Sequence, residues 1–254
     1  MSAATQDAIE RFRRDYAAHR AREGRAHSGA ELFSLPYLRS GRLARQWTVR
    51  ARSFEALIDK VIVPMERERP LDVLDLGAGN GWLSYRLATR GHCCKAIDLR
   101  GDTVDGLGAA AELCARVRFE CLVASFEALP LPAQSADLAI FNASLHYAGS
   151  LETALAEAAR CLRRGGRIVI VDSPFYARTS DGEAMVLEKR RNSGLAAIDC
   201  IEFLTLEALA QASGLVWQRN HVSYPLWYEL RPLLAWLRRG RRPSRFDLWT
   251  AGVP

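Results

Sequence analysis

From Leu71 onward the apolar positions fall into short runs separated by stretches in which they recur with a helical period. The runs are "LDVLDL", "CCKAIDL", "VRFECLV", "DLAIFN" and "RIVIVD". Between them, helical spacing predicts elements from about Asn80 to Thr89, over "TVDGLGAAAELCA", and over "LETALAEAARCL". Strand and helix alternating in this way predict a parallel sheet with helices on both faces. The helix that starts at Leu151 is the clearest: Leu151, Leu155, Ala158, Ala159 and Leu162 share one face, Ser150 is placed to cap it, and Gly165 follows as a stop. Further on, a helix begins near Thr205, "GLVWQRNHVSYP" reads as a strand, "RPLLAWLRR" as a helix with Pro232 in its first turn, and "SRFDLWTAG" as a last strand. Two late strands suggest an antiparallel hairpin closing the sheet. Residues 1–70, with helical stretches near Gln6–Arg22 and Trp47–Val63, fall outside the alternation, as does the segment at about 174–200. Both are placed to cover a pocket at the carboxyl ends of the strands, where open α/β sheets bind ligands. The expected division is an amino-terminal helical cover over 1–70 and a main α/β domain over 71–254, with a lid-like insertion at 174–200.

Composition narrows this little. The 254 residues are 49% hydrophobic and 25% charged, as in an ordinary soluble globular protein and unlike a disordered or fibrous chain. The start, "MSAATQDAIERFRRDY", lacks the apolar core of a secretory signal, and no apolar run approaches the ~18 residues that span a bilayer, so a cytoplasmic protein with no membrane partner is expected. Cys93, Cys94, Cys114, Cys121, Cys161 and Cys200 show no C-x-x-C spacing and are read as reduced core residues, with no metal. The net charge of +6 permits an acidic partner. Lys60, Lys95 and Lys189 are the only lysines among 35 basic residues, however, and such a bias towards arginine is weak evidence for nucleic acid.

The stretch "VLDLGAGNGWLSYRL" carries the chemistry. A dinucleotide fold wants G-x-G-x-x-G; Gly77 and Gly79 fit, but the third position is Trp82 and the glycine comes one residue early, at Gly81. A bulky indole there argues against a pyrophosphate and so against a dehydrogenase. The turn still lets backbone approach a ligand closely, and Asp75 at the strand end suits an ammonium or sulfonium group. Asp98, about twenty residues on, is placed to accept both ribose hydroxyls. The expected ligand is a nucleoside with cationic character and no diphosphate.

At these residues the chain resembles the class I S-adenosylmethionine-dependent methyltransferases, of the methyltransferase type 11 kind. "VLDLGAGNG" is similar to that family's first motif, "AIDL" to its acidic second strand, "ASFEALPLPAQSADLAIFNASLHY" to its third and fourth motifs, and "RCLRRGGRIVIVD" to its fifth strand. The resemblance runs from about Leu71 to Asp172. It implies a Rossmann-like, seven-stranded, mostly parallel sheet with the last strand antiparallel, S-adenosyl-L-methionine as cofactor, and a small-molecule methyl acceptor. It further implies that Asp75 and the backbone at Gly77, Ala78 and Gly79 hold the methionine amine and carboxylate, that Asp98 holds the ribose, and that Leu99 lies on one adenine face. Ser125 stands where the family usually has an acid for the adenine amino group. Phe126 would lie beside the ring and Asn142 would line the pocket.

Methyl transfer is an in-line displacement, so alignment and a dry pocket supply most of the catalysis, and a general base is needed only if the acceptor must lose a proton. His146 in "NASLHY", with Tyr147 beside it, is the candidate, since imidazole titrates near neutrality; the alternative is that the pair only packs or caps. Asp172, Ser173 and Tyr176 rank second, for acceptor contact, and His221 is read as structural. His19 and His27 reach the pocket only if the amino-terminal cover folds over it. In "RQWTVRARSF" an arginine, Arg50 or Arg52, is placed to clamp the methionine carboxylate and Trp47 to lie near the sulfonium; the favoured alternative is a surface helix with Trp47 and Phe54 facing inward. The tail "LRRGRRPSR" is read as a solvated basic loop in preference to a phosphate or membrane contact. An RNA acceptor is possible but not favoured, because "NASLHY" lacks the N/D-P-P-Y/F turn; a cofactor-binding protein without transfer activity is the remaining alternative. Nothing in the chain sets the acceptor atom or the oligomeric state.

Overall fold

The computed structural model describes residues 27, 29–66, 69–193, 200–237 and 240–254. The helix expected over Gln6–Arg22, and with it His19, lies outside the described residues. Seven strands form one sheet: β1 (Asp72–Leu76), β2 (Cys93–Asp98), β3 (Glu120–Val123), β4 (Ala136–Asn142), β5 (Leu162–Val171), β6 (Gln218–Asn220) and β7 (Leu248–Gly252), in the order β3-β2-β1-β4-β5-β7-β6. The strands from β3 to β5 run parallel, whereas β7 is antiparallel to both β5 and β6. The strand order reverses between β1 and β4, where a crevice at the carboxyl edge is expected. β4 is buried from Ala136 to Phe141, which is why its sequence is a nearly unbroken apolar run.

The helix at Leu151–Cys161 starts as expected, with the Ser150 hydroxyl accepting from the Thr153 N–H at 3.2 Å. The single helix expected over 103–115 is instead a 3₁₀ turn at Leu107–Ala110 followed by one turn of α-helix at Ala111–Cys114. Its first part is lost because one Asp102 carboxylate oxygen takes the N–H groups of Val104 and Asp105, each at 3.0 Å, a local bond that competes with helix. The strand expected from Gly214 onward contracts to Gln218–Asn220, and the connection to β7 carries two short helices, Leu226–Glu229 and Arg231–Leu237. The cysteine expectation needs correction: only Cys94 and Cys161 are buried, whereas Cys93 and Cys121, on the edge-ward strands, are exposed.

The described part of residues 1–70 is built into the same core as the sheet. A helix at Ala44–Leu57 continues through a π turn at Ile58–Ile62 to Met65, and Trp47, Phe54, Leu57, Val61 and Ile62 pack in one cluster with Val73, Trp82, Leu83 and Leu87. Arg86, on the helix Trp82–Thr89, ties down the chain ahead of it by donating to the carbonyls of Leu35 at 2.6 Å and Phe33 at 2.8 Å.

The opposite edge of the sheet is held by charge. Asp137, buried at the start of β4, accepts both arms of Arg69 at 2.7 and 2.9 Å, Arg163 at 2.8 Å and the Asp72 N–H at 2.8 Å. Burial alone would raise its pKa; the bonds from Arg69, Asp72 and Arg163 outweigh it and hold the carboxyl below the ordinary range. Replacing Asp137 by Ala leaves the Asp72 N–H without its acceptor and removes the shared partner of Arg69 and Arg163, which keep Asp72 and backbone carbonyls, and stability should fall by about 2 kcal/mol at pH 7. Because the folded pKa is depressed, this contribution is complete above the ordinary value of 3.8 and fades as pH falls through the lower folded value. Urea denaturation of parent and variant at pH 7 and pH 3 checks both parts, with the difference expected to shrink at pH 3.

Candidate functional site

The glycine turn leaves β1 at Leu76 and folds against the end of β2. Gly77 and Ala78 both donate to the Ile97 carbonyl, at 2.8 and 3.0 Å, and Gly79 donates to the Asp98 carboxylate at 2.8 Å. Gly77 has φ +78°, and a Cβ there would lie 2.3 Å from that of Ser144, so neither the backbone nor the space admits a side chain. The other Asp98 oxygen accepts the Arg100 N–H at 2.8 Å. Burial raises the Asp98 pKa while the backbone bonds from Arg100 and Gly79 oppose the rise. Asp98, expected from the sequence to hold a ribose, holds the turn, and its loss would loosen Gly79.

A small cleft of about 60 Å³ opens beside this turn. Its walls include Gly77, Ala78, Gly79, Asn80, Asp98 and Asn142 from the sheet edge, and His27, Trp47 and Arg50 from the amino-terminal part. Trp47 donates its indole N–H to His27 Nε2 at 3.1 Å, and the Arg50 guanidinium lies 5.0 Å from the Trp47 ring. Arg52, by contrast, pairs with Glu55 on the surface. The indole of Trp82 meets Trp47 and Phe54 edge to face, at 5.6 and 5.7 Å. Four residues expected to touch a ligand are not in these walls. Asp75 is turned under the helix at Trp82–Thr89, where one oxygen accepts from the Ser84 N–H at 3.2 Å and hydroxyl at 2.8 Å and the other has no partner. Burial pushes its pKa up to about 7, against the Ser84 bonds. Ser125 accepts from the Glu127 N–H at 3.1 Å, Phe126 stands edge to face with Phe141 at 5.5 Å, and Leu99 follows Asp98 outside the cleft.

A larger cavity of about 450 Å³ lies next to the first and shares Arg50 and Ala143 with it. Its walls bring together His146, Tyr147, Asp172 and Tyr176, which the sequence singled out, and Arg241 of the basic tail, with Met185, Lys189, Glu202, Arg231 and Phe246, which it did not. The rings of His146 and Tyr147 are 4.1 Å apart, and His146 Nδ1 is 3.4 Å from the Ser173 hydroxyl. Of the four non-glycine residues with positive φ among the described residues, Ala143, Asp172 and Glu202 all line this cavity. Such conformations each cost about 1–3 kcal/mol and cluster at working sites. Asp172 is buried with one carboxylate oxygen unpartnered, and burial pushes its pKa up to about 6 against the pull of Arg50 and Ser53. The basic tail is not simply a solvated loop: Arg241 reaches Glu188 at 2.8 Å and the Tyr176 hydroxyl at 3.3 Å, and forms part of the cavity wall. Position at the end of β5 is the signal that pointed to Asp172 in the sequence. No sequence pattern marks Lys189, Glu202 or Arg231, and Arg241 is visible only as part of the basic tail, because three late segments bring these residues together.

The cleft suits a nucleoside in chemistry better than in size. Asn142 presents a buried, unpartnered Oδ1 for an ammonium donor, Asp98 presents a carboxylate, and Arg50 a guanidinium. The volume is below the ~300 Å³ of ordinary ligand pockets.

Residues 74–170 match the family described as "Methyltransferase domain". The chain is 29% identical over 138 residues to malonyl-[acyl-carrier protein] O-methyltransferase of Hahella chejuensis, covering 50% of this chain and 48% of that one. It is 32% identical over 175 residues to the protein of the same name from Erwinia pyrifoliae, covering 68% of this chain and 62% of that one. The chain thus spans about half the length of the first relative and less than two thirds of the second. Among solved structures, geranyl diphosphate C-methyltransferase from Streptomyces coelicolor, in complex with Mg²⁺, geranyl diphosphate and S-adenosyl-L-homocysteine, superposes with a TM-score of 0.60 at 14% identity, over 87% of this chain and 88% of that one. At that identity the likeness is one of fold.

The burial of Asp75 has a measurable consequence. Its folded pKa is raised, so its contribution to stability is fully present below the ordinary value of 3.8 and is lost as pH rises towards about 7. Asp75→Asn keeps an acceptor for Ser84 and removes the titration. Relative to the parent, this variant should gain at least ~1.4 kcal/mol between pH 4 and pH 8, the free energy of a tenfold change in acidity. Denaturation at both pH values measures it, and a constant difference would show that the Asp75 pKa is not raised.

Proposed function

We propose, from the match of residues 74–170 to the family described as "Methyltransferase domain", that the protein is a class I S-adenosylmethionine-dependent methyltransferase that transfers a methyl group from S-adenosyl-L-methionine to a small-molecule acceptor. The observation that carries this reading is the pair of adjoining cavities at the carboxyl ends of β1, β2, β4 and β5, with Arg50 and Ala143 common to both. The smaller is the cofactor site, in which Asp98 would accept the ribose hydroxyls, Asn142 the ammonium group and Arg50 the carboxylate. When bound, the cofactor supplies an electrophilic methyl on a sulfonium. The larger cavity is the acceptor site, and its volume lies within the usual range for small-molecule ligands. The described part of the amino-terminal cover walls the first cavity, and the helix at Thr179–Ser193, within the lid-like insertion, walls the second.

The contribution of this chain is to align the acceptor and exclude water, which in favourable cases supplies ~7–11 kcal/mol. His146, held near Ser173 and in tilted ring contact with Tyr147, is the group that takes a proton from the acceptor; Asp172 contributes a carboxylate to the same cavity. The printed names of the relatives include both O- and C-methyltransferases, so kinship does not choose the acceptor atom.

Isothermal titration calorimetry tests the cofactor assignment: S-adenosyl-L-homocysteine should bind with micromolar affinity and NADH should give no heat. The reverse result would remove the assignment. For the acceptor side, His146→Ala should lower turnover at least ~100-fold, measured with labelled cofactor and the acceptor recovered from cell extract, while cofactor-product affinity stays within about twofold. A variant that keeps its turnover but melts earlier would make His146 a packing residue only.

A further inference from the structure

Building on the two-cavity reading above, we infer that the acceptor is an organic anion whose carboxylate or phosphate is held between Arg231 and Arg241.

The charged residues of the 450 Å³ cavity do not balance. Arg50, Lys189, Arg231 and Arg241 face two acids, Asp172 and Glu202. The acids are already engaged with part of this charge. Arg50 acts on Asp172 at the strand end, and Lys189 and Arg190 lie 4.0 and 3.7 Å from the buried Glu202 carboxylate. Arg241 pairs through Nε with Glu188, a half-exposed residue that is not in the cavity wall. Arg231 has no carboxylate partner among the described residues: one arm donates to the Ser244 carbonyl at 3.1 Å, and the guanidinium lies 4.4 Å from the Tyr228 ring.

Each guanidinium carries five N–H groups in a rigid fork that matches carboxylate and phosphate oxygens, and the bonds already made leave donors over on both. The ring stack on Tyr228 holds the Arg231 fork without neutralising it, and Arg241, paired through Nε with Glu188 outside the wall and bonded to the Tyr176 hydroxyl, keeps its other terminal nitrogen for an anion. Around them, Tyr147, Tyr176, Met185 and Phe246 give the cavity a surface for an organic body. Positive charge left over in a concave, partly apolar wall also raises the local concentration of anionic substrates. A neutral acceptor would leave this charge unanswered.

The test uses the full chain saturated with S-adenosyl-L-homocysteine, at constant ionic strength. Benzoate and phenyl phosphate are compared with their neutral counterparts, benzamide and benzyl alcohol, by thermal shift and by calorimetry. One or both anions should raise the melting temperature while the neutral probes do not, and which anion is stronger tells carboxylate from phosphate. In Arg231→Gln and in Arg241→Gln the affinity for that anion should fall at least about tenfold, with S-adenosyl-L-homocysteine affinity unchanged, which shows the variants to be folded. An equal response to anionic and neutral probes, including none to either, overturns the inference, as does anion binding that survives in both variants. If the parent fails to bind S-adenosyl-L-homocysteine, the methyltransferase reading itself falls, and that result is separate from the anion arm.

Discussion

The edge-to-face packing of Trp82 against Trp47 and Phe54 is the joint on which this molecule turns. Trp82 is the first residue of the helix that leaves the glycine turn, so its indole cannot move without the turn. Trp47 and Phe54 belong to the long helix ahead of the sheet, so the same contact brings that helix, with Arg50 on it, over the carboxyl edge. Each such ring pair adds ~0.5–1.5 kcal/mol beyond its buried area. The value for function is geometric: without this cluster neither Arg50 nor His27 would stand near the glycine turn.

Strand, helix and glycine turn were legible in the sequence because each has a local signature: apolar runs for buried strands, a hydroxyl at Ser150 for a helix start, glycines where φ is positive. Less was legible wherever a distant partner or a competing local bond decided the outcome. Asp102 dissolves a helix that the apolar spacing of 103–115 supports. Asp75 sits in the motif expected to hold a ligand, yet Ser84, nine positions on, draws its carboxylate beneath the helix. Cys93 and Cys121 lie on strands whose apolar character suggests burial, but their side chains point out near the edge of the sheet. The cavity arginines are the extreme case. Arg231 and Arg241 come from the β6–β7 connection and meet Lys189 from a helix some forty residues earlier, and no spacing rule relates them.

The two cavities are framed by different kinds of backbone. The first is framed by a turn whose N–H groups are largely spent on Ile97 and Asp98, which fixes its shape. The second is framed by Ala143, Asp172 and Glu202, three residues held in a conformation that side chains disfavour. Strain of this kind persists only where surrounding contacts overdetermine it, and here the neighbouring strands β4 and β5 end immediately before two of the three.

Arg50 belongs to the walls of both cavities, which makes it a thermodynamic bridge between them. An occupant of one chamber that orders this guanidinium alters the free energy of filling the other. Linkage then requires the influence to be reciprocal: whatever factor the first ligand contributes to the affinity of the second, the second returns to the first. Under the proposed function, methyl transfer would remove the positive charge of the sulfonium on one side of that bridge, so the electrostatic balance felt across Arg50 would differ before and after a turnover. On that reading, the wall that separates the chambers would couple loading to release.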